Sequence, residues 1–145
     1  MIFSKACEYG IRATLYIAQK SVQGERTGLK AISKEIGSPE AFTAKILQKL
    51  VRSNIIESTK GPYGGFQMSR KAIEEIKLVQ IVEAIDGGDI FIQCGLGLKE
   101  CSETHPCPVH DKFKVVRNAL HEMMNSTSIF ELSTKLEEKS AYLKR

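Results

Sequence analysis

The segment from residue 60 to residue 65 constrains the fold of this 145-residue chain more than any other feature. It has the sequence Lys-Gly-Pro-Tyr-Gly-Gly and lies between two short β-prone stretches, residues 55–59 and 66–69. A glycine- and proline-rich segment between two such stretches is typical of a β-hairpin. The sequence therefore predicts a two-stranded hairpin with a basic, glycine-rich tip.

Two short helices are predicted directly before this hairpin. The first covers residues 29–36 and is followed by Gly37, a favourable residue just after a helix. The second is expected to have Ser38 as its N-cap and Pro39 at its first position, and to end near residue 53. Two helices joined by a tight turn and followed by a hairpin predict a winged helix-turn-helix. The residues expected to face inward on the second helix are Phe42, Ile46, Leu47 and Leu50.

Four more helices follow from capping residues and helical spacing. A first helix is predicted from a cap at Ser4 to about Lys20, and another, beginning at Leu78, is ended by the glycines at 87–88. After an irregular segment, apolar residues spaced by three and four indicate a helix that can pack against another helix. A last helix is predicted from a capping box at 128–131 towards Leu143. The apolar positions of the helix after the irregular segment are Phe113, Val116, Leu120 and Met123.

Charge is divided unevenly along the chain. Residues 1–71 carry 12 Lys and Arg against 5 Asp and Glu, a net charge of +7. Residues 72–145 carry 9 against 12, a net charge of −3. A basic half joined to an acidic half suggests that the basic half meets a polyanion, although chance clustering on a solvated surface gives the same count. The predicted winged helix occupies the basic half.

The second helix of a helix-turn-helix enters the major groove of DNA, so its exposed residues are candidates for DNA contacts. We expect Thr43 to contact bases and Lys45 to reach a guanine edge or a phosphate. The hairpin tip is expected to approach the minor groove, where Lys60 supplies charge. The alternative is that neither element contacts DNA: the lysines of the second helix would then be a solvated face of a helical core, and the hairpin tip an ordinary turn. The predicted DNA-contacting residues are Ser38, Glu40, Thr43, Ala44, Lys45, Lys49, Arg52, Lys60, Gly61, Tyr63, Gly64 and Gly65.

Three of the four cysteines fall in one irregular region. Cys94, Cys101 and Cys107 lie within 14 residues and are followed by His110, in a glycine- and proline-rich segment from 87 to 110. Thiolate and imidazole ligands suit zinc or an iron–sulfur cluster. Wide spacing in a loop favours an object larger than one ion, such as a [2Fe–2S] cluster with four ligands. A zinc site and uncoordinated thiols stay open, because the spacing does not separate them.

The fourth ligand is also left open. His110 has suitable spacing, and Glu8 of this or another subunit is the rival, although Glu8 and Arg12 can also form a surface ion pair. Cys7 lies on the apolar stripe of the first helix and is expected to be a core residue. His105 is a weaker candidate.

Enzymes are disfavoured by what the chain lacks. It contains no Walker-type phosphate loop, nucleophile elbow or HExxH pair, and three clustered cysteines suit coordination better than nucleophilic catalysis. It has no apolar run near the ~20 residues that span a bilayer. The charged N-terminal residues do not form a signal peptide, so we expect a cytoplasmic protein with reduced cysteines and no membrane partner.

These motifs together resemble the Rrf2 family of bacterial transcription regulators over nearly the whole chain. Residues 60–66 are similar to the family's wing motif, residues 9–12 to its first-helix motif and residues 76–87 to the helix after the wing. The three clustered cysteines and the histidine resemble the cluster-binding loop of the iron–sulfur members, which the iron–sulfur cluster biogenesis regulator typifies.

The resemblance implies a mainly α fold with a small β-hairpin, a winged helix-turn-helix plus a long dimerisation helix from about Asp111 to Asn125. It implies a homodimer that binds a pseudo-palindromic operator in double-stranded DNA. A [2Fe–2S] cluster held by Cys94, Cys101, Cys107 and His110 would modulate DNA affinity in response to iron–sulfur status, redox state or nitric oxide.

The expected organisation has three parts. Residues 1–86 form the DNA-binding domain, residues 87–110 a cysteine-rich sensor loop, and residues 111–145 the dimerisation and C-terminal helices. The alternatives are a metal-free thiol-switch regulator, a zinc-bound regulator and a protein-interaction adaptor that does not bind DNA.

Some residues depart from the family pattern. The first cysteine interval is six residues, where five is usual, and Tyr63 stands where glycine is common. Lys60 replaces the usual arginine, so its minor-groove contact should be less directional. The recognition helix differs from that of the biogenesis regulator at residues 43–45, which indicates a different target sequence.

Overall fold

The computed structural model describes residues 2–144. It is mainly helical with one two-stranded antiparallel hairpin, which confirms the predicted fold class. A short 3-10 turn, Asp89–Phe91, lies in the cysteine region. The elements in chain order are α1 (Lys5–Val22), α2 (Leu29–Ile36), α3 (Glu40–Arg52), β1 (Glu57–Thr59), β2 (Gly65–Gln67), α4 (Arg70–Glu75), α5 (Leu78–Asp86), α6 (His110–Ser126) and α7 (Ile129–Glu137).

Capping residues fix the helix ends at most of the predicted positions. The hydroxyl of Ser4 accepts a hydrogen bond of 3.0 Å from the Cys7 backbone N–H at the start of α1. Gly37 ends α2 in the left-handed conformation, with φ of +67°, which glycine adopts without a Cβ clash. Ser128 caps α7, but this helix ends at Glu137, well before the predicted end near Leu143.

The start of α3 differs from the prediction. Ser38 does not cap this helix, because Pro39 occupies the N-cap position and no side chain caps there. Thr43 was expected to be exposed, but it is fully buried. Its hydroxyl donates a 2.9 Å hydrogen bond to the Pro39 carbonyl, which satisfies the buried oxygen. Phe42 was expected to face inward, but it is 36% exposed and its ring packs edge-on against that of Tyr9.

The hairpin is joined to the chain segment before α2. Ser58 of β1 pairs with Phe66 of β2, and Thr27 bridges the other side of Phe66. Thr27 and Phe66 exchange two backbone hydrogen bonds, of 3.0 and 2.8 Å. Because Gly65 has φ of +134° and a Cβ there would lie 2.9 Å from the Thr27 carbonyl oxygen, glycine is needed at this position.

The core of the winged domain lies where α1, α3 and α5 pack together. Ile17, Leu47 and Ile81, one from each of these helices, are fully buried. The helix α4 was not predicted; Ser69 caps it by accepting a hydrogen bond from the Ala72 N–H.

The segment just before α5 is hydrogen-bonded to the segment between α6 and α7. The Leu78 N–H donates to the Thr127 carbonyl at 2.9 Å, and the Ile129 N–H donates to the Ile76 carbonyl at 3.0 Å. These two hydrogen bonds set α7 against α1 and α4. They also fix the end of α6 next to the start of α5.

Candidate DNA-binding surface and cysteine loop

The exposed face of α3 carries several cations. Lys45, Lys49 and Arg52 are exposed, and within residues 2–144 none of them forms an ion pair. Glu40 is also exposed and Ala44 is half-buried. Thr43 and Ser38 are buried, so their side chains do not belong to this face. The face therefore offers charge to a partner along most of the length of α3.

The hairpin tip, which we call the wing, covers residues 60–65. Lys60 and Gly61 are exposed, and Tyr63 is 89% exposed, although a large aromatic side chain normally gains by burial. A Cβ on Gly64 would lie 2.0 Å from the Thr59 carbonyl oxygen, so a side chain at that position does not fit the turn. The wing thus projects one lysine and one aromatic ring from a tightly folded turn.

Arg26 is a cation at the wing that the sequence did not single out. Its Nη1 donates a hydrogen bond of 3.4 Å to the Tyr63 carbonyl oxygen. The residue lies 37 positions before Tyr63, and the bridge between Thr27 and Phe66 brings the two segments together. The sequence shows only an arginine in a turn between Gly24 and Gly28. Its contact with the wing could not be predicted from this, because the contact depends on the bridge between Thr27 and Phe66.

The clustered cysteines and His110 form two pairs. The sulfur of Cys94 lies 3.7 Å from that of Cys107, and the sulfur of Cys101 lies 3.3 Å from Nδ1 of His110. Cys94 and His110 are buried, and Cys101 and Cys107 are half-buried. Among residues 2–144, no three His, Cys, Asp or Glu side chains converge as the ligands of a single ion.

Hydrogen-bond donors surround two of these sulfurs, those of Cys94 and Cys101. The backbone N–H of Leu96, followed by those of Leu98 and Gly97, donates towards Cys94 and lowers the pKa of its thiol. Arg117 of α6 donates a 3.4 Å hydrogen bond to the Cys101 sulfur. Thiolates are the forms of cysteine that bind metals and react with oxidants.

Cys7 has the opposite surroundings. It is fully buried on α1, and burial, with a further contribution from Asp86, raises the pKa of its thiol from 9.0 to about 12. Its place in the core agrees with the sequence expectation.

Glu8 is not joined to the cysteine loop by a hydrogen bond or an ion pair within residues 2–144. Its carboxylate lies 3.3 Å from the Lys5 ammonium. The alternative surface pair of Glu8 with Arg12 does not form, because the Arg12 guanidinium lies over the Tyr9 ring, 4.9 Å from its centre. His105 is exposed, next to Thr104. Of the candidate fourth ligands, His110 is the one that contacts a loop cysteine.

Within residues 2–144, no helix is both long enough and apolar enough to cross a bilayer. The longest helix, α1, has 18 residues and includes several charged positions.

Known structures share this fold. The structure of CymR (YrzC), the global cysteine regulator of B. subtilis, superposes with a TM-score of 0.75 at 22% identity, covering 91% of this chain and 95% of that one. The structure of T. potens IscR gives a TM-score of 0.73 at 17% identity, covering 97% and 92%. At these identities the likeness concerns the fold alone.

Sequence comparison identifies the family. A chain of Aquifex aeolicus (strain VF5) named "Putative HTH-type transcriptional regulator" is 28% identical over 144 residues, which is 98% of this chain and 97% of that one. The Rrf2 family profile, described as "Iron-dependent Transcriptional regulator", matches residues 3–135. The chain therefore belongs to the Rrf2 family of transcription regulators.

Proposed function

We propose that this protein is a homodimeric regulator that binds double-stranded DNA and whose DNA affinity depends on the chemical state of the cysteine loop. The observation that carries DNA binding is the set of exposed cations without ion pairs on α3, in a winged helix-turn-helix. Lysine and arginine on such a face neutralise phosphates and release counterions. Arg26 and Lys60 extend the same charge to the wing.

The exposed apolar residues of α6 support a dimer. Phe113, Val116 and Met123 are 41%, 64% and 48% exposed, and they follow the predicted helical seam. Exposed apolar residues aligned on one helix are typical of a helix that packs on another copy. A two-fold axis at this helix would present two recognition helices to a pseudo-palindromic operator.

A [2Fe–2S] cluster fits the paired arrangement of donors better than one zinc ion does. Metal–sulfur bonds of about 2.3 Å place two sulfurs on one tetrahedral metal about 3.8 Å apart. The 3.7 Å separation of Cys94 and Cys107 matches such a pair, and Cys101 with His110 offers a second. A zinc site would need a single convergence of the donors, and the described residues contain none.

Residues around the donors also fit a buried, electron-rich group. Arg117 has a buried Nε that has no hydrogen-bond partner within the described chain. A buried donor without a partner is costly, so a further acceptor next to it would be stabilising. When bound, a cluster would supply reversible one-electron chemistry and lability towards oxidants. The chain would hold it with three thiolates and one imidazole, and the backbone around Leu96 would stabilise Cys94 as a thiolate.

The test is anaerobic purification followed by iron, sulfide and zinc analysis and measurement of DNA affinity with and without the metal centre. We expect about two irons per chain and visible absorption, and a His110→Ala variant with weakened cluster retention. One zinc per chain in a colourless protein would contradict the cluster and leave DNA binding intact. A Glu8→Ala variant is the matched test of the rival fourth ligand.

A metal-free thiol switch is a second candidate, favoured by the contact between Cys94 and Cys107. Their sulfurs can join as a disulfide if a peroxide-type oxidant takes up two electrons and two protons from the thiols. Oxidation of metal-free protein should then lower its mass by about two daltons, and Cys107→Ser should abolish this change. If DNA affinity is the same before and after oxidation, the thiol switch is excluded.

A protein-interaction adaptor is separated from a DNA-binding regulator by salt dependence. DNA affinity should fall steeply with salt, with a log–log slope of about −0.9 for each phosphate contacted. An affinity that does not respond to salt or to sequence would indicate an adaptor.

A further inference from the structure

One side of α6 faces the cysteine loop along the length of the helix. His110, Lys114, Arg117 and His121 are separated by four, three and four positions, which places them on one stripe. Each contacts a residue of the segment between residues 91 and 103. The contacts are His110 with Cys101, Lys114 with Glu103, Arg117 with Gln93 and Cys101, and the His121 ring with the Phe91 ring.

Arg117 is the residue of this stripe that makes two hydrogen bonds to the segment between residues 91 and 103. Its Nη1 donates to the Gln93 carbonyl oxygen at 2.6 Å and to the Cys101 sulfur at 3.4 Å. The same side chain therefore connects α6 to the backbone beside Cys94 and to the sulfur of Cys101. Hydrogen bonds from a guanidinium that is partly removed from water are stronger than those between neutral groups.

The neighbouring contact of Lys114 provides the natural comparison. Lys114 forms an ion pair with Glu103, and this contact lowers the pKa of the Glu103 carboxyl. The carboxylate is mostly exposed, and exposed ion pairs contribute little to stability. The two cations thus stand on one stripe of one helix, but only Arg117 contacts a sulfur.

We propose that Arg117 is a positioning residue that fastens the cysteine loop to α6 and transmits the state of the Cys101 sulfur to that helix. This inference rests on the proposed function for the role of Cys101 in a sulfur centre. The hydrogen bond to Cys101 strengthens as negative charge on the sulfur increases, so a change in the bonding of the sulfur changes how tightly the loop is held. The apolar residues Phe113 and Val116 lie on the same helix, so α6 links the loop to the proposed dimer contact.

The first test uses reduced, metal-free, full-length protein and measures backbone hydrogen exchange. The Gln93 and Gly97 amides donate to the Asp89 and Cys94 carbonyls, so their exchange reports the order of the loop. We expect Arg117→Ala to speed their exchange about tenfold or more, since it removes a charged hydrogen-bonding group. The exchange rates in Arg117→Lys should lie between those of Arg117→Ala and those of the wild type, because lysine keeps the positive charge but lacks the planar guanidinium. The control Lys114→Ala should leave these amides unchanged.

The second test uses protein with a reconstituted cluster and measures its midpoint potential. Hydrogen bonds to cluster sulfurs stabilise the reduced form, so Arg117→Ala should shift the midpoint potential to more negative values. In Arg117→Lys this negative shift should be smaller. Lys114→Ala should shift it less than Arg117→Ala.

The two tests fail in different ways. Wild-type exchange rates and potential in both Arg117 variants would overturn the role of Arg117, and so would equal effects of Lys114→Ala. If no cluster is taken up, the cluster proposal fails, while the exchange measurement still decides whether Arg117 holds the loop. If Arg117→Ala does not fold, Arg117→Lys alone must give faster exchange than wild type, and unchanged exchange in it overturns the proposal.

Discussion

Cys7 and Cys94 show how far surroundings separate two residues of the same type. Burial raises the pKa of Cys7 to about 12, whereas backbone N–H groups led by that of Leu96 lower the pKa of Cys94. Sequence spacing distinguished the clustered cysteines from the isolated one. It did not reveal the direction of either pKa shift, because that depends on backbone donors and on Asp86.

Cys7 should resist alkylation in the folded protein. At pH 8, a thiol with a pKa near 12 is a thiolate only about one time in ten thousand. Iodoacetamide treatment of reduced, metal-free protein, followed by peptide mass spectrometry, should label the loop cysteines and leave Cys7 unlabelled. In urea all four cysteines should react. Equal labelling rates for Cys7 and Cys94 in the folded state would contradict the assignment.

The same burial predicts a dependence of stability on alkaline pH. The raised pKa of Cys7 favours its protonated form in the folded state, so its contribution is fully present below about pH 9 and is lost as pH rises towards 12. Denaturant unfolding of wild type and Cys7→Ala at pH 8 and pH 10 should differ in pH dependence by about 1 kcal/mol. If the free energy of unfolding falls equally between pH 8 and pH 10 in wild type and Cys7→Ala, the Cys7 thiol does not contribute to the pH dependence.

At the scale of single elements, α3 and the wing define the surface proposed to meet DNA. The helical period located α3 and its apolar side, but could not decide between adjacent residues at the edge of that side. Thr43 takes the buried place because the Pro39 carbonyl satisfies its hydroxyl, and Phe42 packs on Tyr9 at the surface. The six-residue α4 escaped prediction because it is too short for a periodic pattern.

Substituting Lys60 tests the wing. Lys60→Ala should weaken DNA binding and reduce the magnitude of the log–log salt slope by about one, because one phosphate contact is lost. Fluorescence anisotropy with operator DNA over a range of salt concentrations measures both quantities. Lys135→Ala, which removes an exposed lysine on α7, serves as the control and should leave both unchanged. An unchanged slope in Lys60→Ala would remove the wing lysine from the interface.

Gly65→Ala should disrupt the base of the wing. The substitution combines a positive φ of +134° with a Cβ placed 2.9 Å from a backbone oxygen of Thr27, so the cost should be about 2–3 kcal/mol. Gly61→Ala has a positive φ of +98° but open space, and should cost about 1 kcal/mol. Chemical denaturation of both variants gives the comparison. Equal losses of unfolding free energy in the two variants would mean that the close approach of a Cβ at position 65 to the Thr27 carbonyl oxygen adds no cost.

At the scale of the whole molecule, the sequence predicted every helix except α4 and located the irregular cysteine-rich loop, but it did not show how α6 holds that loop. The contacts of Arg117 with Gln93 and Cys101 cross 24 and 16 positions, so they depend on the path of the irregular loop. The seam on α6 was visible as a sequence pattern. Its exposure became visible only in the structure.

Val116→Glu should prevent dimerisation. Val116 is 64% exposed on the apolar face of α6, and a carboxylate buried at a two-fold contact would meet its own copy. Sedimentation velocity should show a monomer, and operator affinity should fall because only one half-site can be bound. Val22→Glu, at a similarly exposed valine on α1, is the control and should leave the dimer intact. A dimeric Val116→Glu protein would place the dimer contact elsewhere.

The two hydrogen bonds between residues 76–78 and 127–129 make the attachment of α6 independent of the chemistry of the cysteine loop. They hold the end of α6 to the winged domain without any residue of the cysteine loop. Doubling the length of a flexible loop whose ends are already fixed costs only about 0.6 kcal/mol. We therefore expect the winged scaffold to tolerate changes of length within residues 87–109 better than changes at residues 76–78 or 127–129.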